Sequence, residues 1–201
     1  MSAMNSARNA RSPARSELIL GGQKSGKSRR AELLANQWLS QSAGHSAVLI
    51  ATAQPFDDEM RQRIDRHQAD RAARVPGMRL VEEPLNLAAA IAQHSAPHTL
   101  VVVDCLTLWL TNLLMPAENA SFEPLTAADI AQTASLLVAI QQAAGPVVLV
   151  GNEIGMGVIP MGREVRAFVD TLGRLNQDVA AACERVTLMA AGLPLTLKGP
   201  P

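Results

Sequence analysis

Apolar residues follow two alternating patterns along the chain. Short runs rich in β-branched residues and leucine have the composition of buried parallel strands. They predict strands at Leu18–Leu20, Val48–Ala51, Leu100–Val103, Val147–Val150 and Val186–Met189, and a final strand at Leu195–Leu197. The longer stretches between them predict helices at Ser28–Ser40, Asp57–Asp70, Leu85–Gln93, Leu106–Leu114, Thr126–Ala143 and Arg163–Cys183, with a surface loop over residues 121–126. This alternation predicts an α/β fold of three layers with a mainly parallel central sheet.

Length and composition narrow the class of protein. A chain of 201 residues predicts a single domain. Its 18 basic and 18 acidic residues balance, and only 2% of its residues are aromatic, so no nucleic-acid partner is expected. No apolar run approaches the roughly 18 residues of a membrane span. Cys105 and Cys183 are too few and too far apart for a disulfide framework, so we expect two small core residues in a soluble cytoplasmic protein.

The first 16 residues differ from the rest of the chain. They hold three arginines and no acid, so residues 17–201 must carry the compensating net charge of −3. This stretch is rich in Ser, Ala, Asn and Arg and has no apolar periodicity, which predicts a disordered basic extension before one domain over residues 17–201. It lacks the apolar core of a secretory signal; a transit peptide remains an alternative.

A phosphate-binding loop is the clearest chemical signal. The octapeptide GGQKSGKS fits G-x-x-x-x-G-K-[ST] at every fixed position, after a predicted strand and before a predicted helix. The backbone N–H groups of such a loop and the helix end can bind phosphate oxygens, while Lys27 reaches the β- and γ-phosphates and the Ser28 hydroxyl holds Mg²⁺. The predicted nucleotide-binding residues are Gly21, Gly22, Gln23, Lys24, Ser25, Gly26, Lys27 and Ser28. The alternative is a glycine-rich turn without a ligand.

A second acidic group is expected near that loop. Nucleotide-bound Mg²⁺ also needs an acid at the end of a neighbouring strand, and Asp104 follows the apolar run LVVV. Asp104 could instead cap the helix that begins at Leu106, and the two roles are compatible. These features predict a nucleotide triphosphatase or a kinase. A guanine-reading N-K-x-D motif is missing, since NQDV at residues 176–179 lacks the lysine, and the chain is short for a large motor ATPase.

His67 lies in a predicted helix that begins with three acids and continues with arginines. Met60, Ile64 and His67 follow the spacing of one helix face. On spacing alone, His67 is a packed or hydrogen-bonded histidine rather than a catalytic one.

Five segments together resemble one enzyme family, in the same order and over nearly all of Glu17–Lys198. They are GGQKSGKSRRAE, IATAQPFDDEMRQRIDRHQADR, LVEEPLNL, VVVDCLTLWLTNLL and VVLVGNEIGMGVIPMGREVRAFVDTLGRLNQDVAA. The chain resembles the bifunctional adenosylcobinamide kinase / adenosylcobinamide-phosphate guanylyltransferases of cobalamin synthesis. The second and fifth segments are much more specific than the phosphate loop. Three positions differ from the usual pattern: Leu20 stands where many relatives have Thr, Ala72 where they have Pro, and Asp104 where some have Glu. A short insertion around residues 75–77 also departs from it.

The resemblance implies two reactions. ATP or GTP would donate a phosphoryl group to the aminopropanol hydroxyl of adenosylcobinamide, with Lys27 and with Mg²⁺ near Ser28 and Asp104. His67 would then attack GTP and pass GMP to the cobinamide phosphate. Further nucleotide contacts carried over by position are Thr52, Ala53, Gln54, Gln68, Ala69, Asp70, Arg71 and Glu82, although Glu82 could equally be a solvated acid. The loop after Asn152 and Glu153 would border the cobinamide site or a subunit contact, or be a plain turn. The resemblance also implies that the protein forms a homo-oligomer, namely a trimer.

Two other functions stay open at this stage. One is a P-loop small-molecule kinase without guanylyl transfer, and the other is a nucleotide-dependent regulatory protein. The presence of His67 argues against the first, and the missing N-K-x-D motif argues against a guanine switch.

Overall fold

The computed structural model describes residues 14–55, 58–115, 126–158 and 161–200. Its strands are β1 (Ser16–Gly21), β2 (Ser46–Ala51), β3 (Arg79–Glu82), β4 (Thr99–Asp104), β5 (Val147–Val150), β6 (Arg185–Ala190) and β7 (Leu193–Lys198). Its helices are α1 (Lys27–Gln41), α2 (Asp58–Arg74), α3 (Leu87–His94), α4 (Leu106–Leu114), α5 (Ala127–Gln142) and α6 (Arg163–Ala182).

The strands form one sheet in the order β3-β2-β4-β5-β1-β6-β7. Every neighbouring pair is parallel except β6 and β7, which form an antiparallel hairpin. The two residues of the hairpin turn, Ala191 and Gly192, have positive φ angles of 51° and 80°, as a type I′ turn requires. The predicted α/β fold with a mainly parallel sheet is therefore confirmed.

Helices cover both faces of the sheet because the central strands are apolar on both. Leu18 and Leu20 of β1 belong to a core cluster with residues of α3, α4, α5 and α6. Ile19, between them, belongs to a second cluster with Ala31, Leu34 and other residues of α1. Side chains that alternate along one strand thus enter different layers, and the predicted three layers are present.

The described elements match most of the sequence prediction. The strands predicted from apolar runs and the six predicted helices are all present, with ends that differ by a few residues. Helix α2 runs on to Arg74, past Ala72, because no proline interrupts it. The short edge strand β3 was not predicted, since its sequence RLVE has no continuous apolar run and is largely exposed.

The predicted basic extension over residues 1–16 ends too late. Strand β1 begins at Ser16, and Arg15 donates from its backbone N–H to Glu184 and from its guanidinium to the Ala143 carbonyl. Residues 1–13 of that prediction, and residues 121–125 of the predicted loop, lie outside the described part of the chain. Among the described residues, no helix combines the length and apolar character needed to cross a membrane.

Candidate nucleotide-binding site

The predicted site residues follow strands whose carboxyl ends meet at one edge of the sheet. Backbone hydrogen bonds join these ends: Glu153 N donates to Gly21 O at 3.2 Å, and Thr52 N donates to Asp104 O at 3.2 Å. Open parallel sheets bind their ligands at this edge. The fold therefore gathers residues from β1, β2, β4 and β5 that are far apart in the sequence.

The phosphate loop between β1 and α1 depends on two glycines. Gly21 and Gly26 have φ angles of 152° and 101°, a region that L side chains rarely adopt. A Cβ at Gly21 would also lie 2.5 Å from the Met189 carbonyl oxygen, so the loop has no room for a side chain there. Gly22, Gln23 and Lys24 are exposed, so the loop turns toward solvent as phosphate binding requires.

The turn between β6 and β7 packs against this loop. Gly192 N donates to the Ser25 carbonyl at 3.0 Å, and a Cβ on Gly26 would come within 3.3 Å of the Gly192 Cα. The phosphate loop is thus held from behind by the hairpin, a contact that sequence reasoning missed. Ala-Gly between two apolar runs indicates the turn itself, but no pattern in the sequence indicates that the turn contacts the phosphate loop.

Lys27 is buried under the loop, with 8% of its surface exposed. Its Nζ donates to the Gly22 carbonyl at 2.7 Å. Burial lowers the pKa of the Lys27 ammonium, and nearby Cys105 and Asp104 oppose that shift. Because burial raises the pKa of the Cys105 thiol to about 11, the thiol is neutral near pH 7, and Asp104 is the anion that Lys27 faces. The buried Cys105 and Cys183 are small core residues, as predicted.

The position of Asp104 differs from the prediction in one respect, and Asp104 does not have the alternative role of a helix cap. Strand β5 lies between β4 and β1, so Asp104 is not on the strand next to the phosphate loop. Helix α4 begins after Cys105 and has no side-chain cap, so Asp104 does not cap it. The Asp104 carboxylate instead lies 3.6 Å from the guanidinium of Arg71, and both side chains are mostly buried. This pair connects α2 to the edge of the sheet.

Thr52 positions the segment that follows Asp104. The Thr52 hydroxyl donates to the Cys105 carbonyl at 2.7 Å and accepts from the Cys105 N–H at 3.0 Å. Asn112 of α4 donates to the Thr52 carbonyl at 2.8 Å. Thr52 is completely buried, so its side chain does not face open space, whereas Ala53 and Gln54 after it are half-buried. The sequence signal that could have found the contact between Asn112 and Thr52 is a polar residue within the otherwise apolar helix LTLWLTNLL.

Replacing Thr52 by valine tests that positioning role. Valine has nearly the same shape but can neither donate nor accept, so the buried N–H of Cys105 loses its partner and the Cys105 carbonyl keeps only the Trp109 N–H. The free energy of unfolding should fall by about 1–3 kcal/mol, the cost of leaving buried polar groups unsatisfied. Urea denaturation measures it, with Thr171→Val on α6 as the matched control. Equal stability of the two variants would contradict the role.

The predicted contacts on α2 divide between two sides of the helix. Gln68 donates to Glu82 at 3.3 Å, and Arg71 pairs with Asp104, so both reach the sheet. Asp70 instead binds Arg74, which also pairs with Glu32 of α1, and Ala69 is exposed. Position 67 precedes Arg71 by four residues, and positions four apart share a helix face. The fold therefore supports contacts for Gln68 and Arg71 more directly than for Ala69 and Asp70.

The donor chemistry of the edge suits Mg²⁺ bound together with a nucleotide. Within residues 14–55, 58–115, 126–158 and 161–200, no group of three or more His, Cys, Asp or Glu side chains could hold a metal alone. Mg²⁺ usually takes one or two protein oxygens and fills its other positions with phosphate oxygens and water. A single carboxylate at Asp104 and a hydroxyl at Ser28 are the donors that such an ion would use.

Comparison with known proteins identifies the family. Residues 17–197 match the family described as cobinamide kinase / cobinamide phosphate guanyltransferase. The chain belongs to this family. The bifunctional adenosylcobalamin biosynthesis protein CobP of Pseudomonas aeruginosa is 44% identical over 92% of this chain and 98% of its own length. The protein of that description named CobU in Escherichia coli is 36% identical over 90% of this chain and 98% of its own.

Solved structures show the fold of this cobinamide kinase / guanyltransferase family member. The flagellar accessory protein FlaH of Methanocaldococcus jannaschii superposes with a TM-score of 0.50 and 11% identity, covering 93% of this chain and 80% of that chain. A Pyrococcus horikoshii protein, titled a structural study of PH0250, gives 0.50 at 10% identity, covering 93% and 88%. The likeness at this low identity concerns the fold alone.

Proposed function

We propose that this chain catalyses both family reactions: phosphorylation of adenosylcobinamide, then transfer of GMP to the product. The family match over residues 17–197 carries the proposal. The geometry supports it, because a phosphate loop, a buried lysine and an acid meet at one edge of the sheet, and the helix that contains His67 is tied to that edge.

In the kinase step, the loop N–H groups and Lys27 would hold the β- and γ-phosphates of ATP or GTP. Phosphoryl transfer needs positioning and charge neutralisation more than covalent help from the protein. Mg²⁺ held through Ser28 and Asp104 would neutralise phosphate charge. Arg71 lies beside Asp104 and would bring a second positive group to the same phosphates.

In the transfer step, His67 would act as the nucleophile. A neutral imidazole, with a reference pKa of about 6.5, attacks the α-phosphorus of GTP and expels pyrophosphate. The cobinamide phosphate then displaces the histidine and takes up GMP. Glu82, whose carboxylate accepts from Gln68 at 3.3 Å, would accept hydrogen bonds from the N–H groups of guanine. The polar pair suits a chain that has little aromatic surface for stacking.

The homotrimer implied by family resemblance, and the cytoplasmic location, remain predictions. Large apolar side chains exposed on the described surface, such as Met156, Val158 and Leu193, leave area for contact between subunits.

A direct test is to incubate the purified chain with adenosylcobinamide, Mg²⁺ and either ATP or GTP. Mass spectrometry should show one phosphoryl group added to adenosylcobinamide by whichever nucleotide serves as donor. The product that carries a guanosine diphosphate group in place of the phosphoryl group should form only when GTP is present. Chelation of Mg²⁺ should stop both conversions. A product that stays at the monophosphate with GTP would support the kinase alone. Nucleotide binding without either product would refute the proposal in favour of a regulatory protein.

A further inference from the structure

A groove of about 360 Å³ runs between α6 and the β1–β6–β7 side of the sheet. Its walls are mainly apolar and include Leu20, Val186 and Leu197. One end lies at Glu153 and Leu20, beside the start of the phosphate loop. The groove therefore leads from the nucleotide-binding edge along the face of α6, on the opposite side of the sheet from α1.

Glu153 stands at the end of the groove nearest the nucleotide. It follows β5, the strand between the phosphate loop and Asp104, and its N–H donates to Gly21 O. The carboxylate is held by Gly155 N at 3.2 Å and by Asn176 Nδ2 at 3.5 Å. It makes no ion pair with any described residue, so an anionic acceptor stays free beside the loop.

Asn176 lines the groove and contacts Glu153. Asn176 is only 4% exposed, and its Nδ2 donates to the Asn152 carbonyl at 3.0 Å. The Oδ1 receives no hydrogen bond from the described residues. That oxygen is closed off from the groove and lies against Gly151, where a Cβ would come within 3.3 Å of it, so the group of Asn176 that acts at this site is the Nδ2 that donates to Glu153.

Gly173 lies one turn from Asn176 in the middle of α6 and also lines the groove. Glycine is the weakest helix former after proline, and a Cβ here would meet nothing within 4 Å. Neither backbone conformation nor packing in the described fold calls for glycine at this position. Its effect is to keep the groove wide, which favours a ligand as the reason for it.

We propose that this groove binds the acceptor alcohol of the kinase step and that Glu153 is a catalytic residue. The inference rests on the proposed function. The apolar walls would cover the carbon skeleton of the aminopropanol arm, and Asn176 Nδ2 would hold the Glu153 carboxylate toward its hydroxyl. As the hydroxyl oxygen forms a bond to the γ-phosphorus, its proton passes to the Glu153 carboxylate. The bond from that phosphorus to the β–γ bridging oxygen breaks, which releases the nucleoside diphosphate.

Two variants test the groove and the base separately. Gly173→Leu should fill the groove, raise KM for adenosylcobinamide at least tenfold, and preserve or raise the thermal midpoint. Glu153→Gln should lower kcat by about a hundredfold or more, the usual contribution of a general base, and should remove the acidic limb of the kcat–pH profile. The matched controls are Ala181→Leu and Asp178→Asn, on exposed positions of α6. The two test variants, Gly173→Leu and Glu153→Gln, should still form the GMP–protein adduct from GTP.

The outcomes distinguish this inference from the proposed function. If the wild-type chain fails to phosphorylate adenosylcobinamide, both the proposed function and this inference are overturned. If the wild type is active and Gly173→Leu keeps its KM, the alcohol does not occupy the groove. If Glu153→Gln keeps its kcat and pH profile, the carboxylate is not the base.

Discussion

His67→Ala is expected to abolish covalent labelling by GTP that carries radioactivity in its α-phosphate. The label on the wild type should survive denaturation and be released by acid, because a phosphoramidate bond to imidazole is acid-labile. Alanine has no nucleophile to form that bond, so the loss should be complete. Phosphorylation of adenosylcobinamide should continue, since the phosphate loop connects β1 to α1 and His67 belongs to another helix, α2.

The matched control is His94→Ala, which removes a histidine at the end of α3. It should keep the full label. A labelled His67→Ala protein would mean that another residue is the nucleophile. Loss of kinase activity in a folded His67→Ala variant would mean that the two reactions share more groups than the separate elements indicate.

Lys27→Ala should lower kcat for phosphorylation by a factor of about 10²–10³, the size of effect seen when one preorganised donor to a developing charge is removed. Lys27 is the buried cation of the phosphate loop and faces Asp104. Because burial lowers the pKa of its ammonium, the charged form is held at a cost to the folded state. The thermal midpoint without nucleotide should therefore not fall, whereas the rise on adding nucleotide should shrink.

Lys24→Ala provides the control within the same loop, because Lys24 is exposed there. Its kcat should stay within a few-fold of the wild type. Wild-type turnover by Lys27→Ala would contradict the role of the phosphate loop. An unfolded Lys27→Ala protein would contradict the view that the buried charge serves binding at the expense of stability.

Sequence patterns were informative where the local environment determines them. Strands such as β4 are buried on both faces, so a continuous apolar run identifies them, and helix α6 shows its periodicity over 20 residues. Strand β3 escaped because an edge strand with exposed residues lacks that run. The loop GGQKSGKS was readable because its conformation depends on residues within the loop.

Other parts of the site depend on contacts between distant segments. The order of strands in the sheet is a long-range property, so the position of β5 between β1 and β4 could not be derived from the apolar runs. The hydrogen bonds of Thr52 to Cys105 join residues that are 53 positions apart. His67 was assigned through family resemblance, since its spacing alone indicated a packed residue. The Arg71–Asp104 pair brings the same helix to the edge, and the role of His67 stays a prediction.

The hairpin behind the phosphate loop has a consequence for the order of folding. The loop follows the first strand of the fold, yet Gly192, which binds Ser25, lies in the turn between the last two strands. A contact of such high sequence separation forms late, after the loop-closure entropy has been overcome. A growing or refolding chain would thus contain the whole phosphate-loop sequence long before the loop is packed against the hairpin. Nucleotide, which binds the finished site only, would stabilise the whole sheet rather than its first strand and helix.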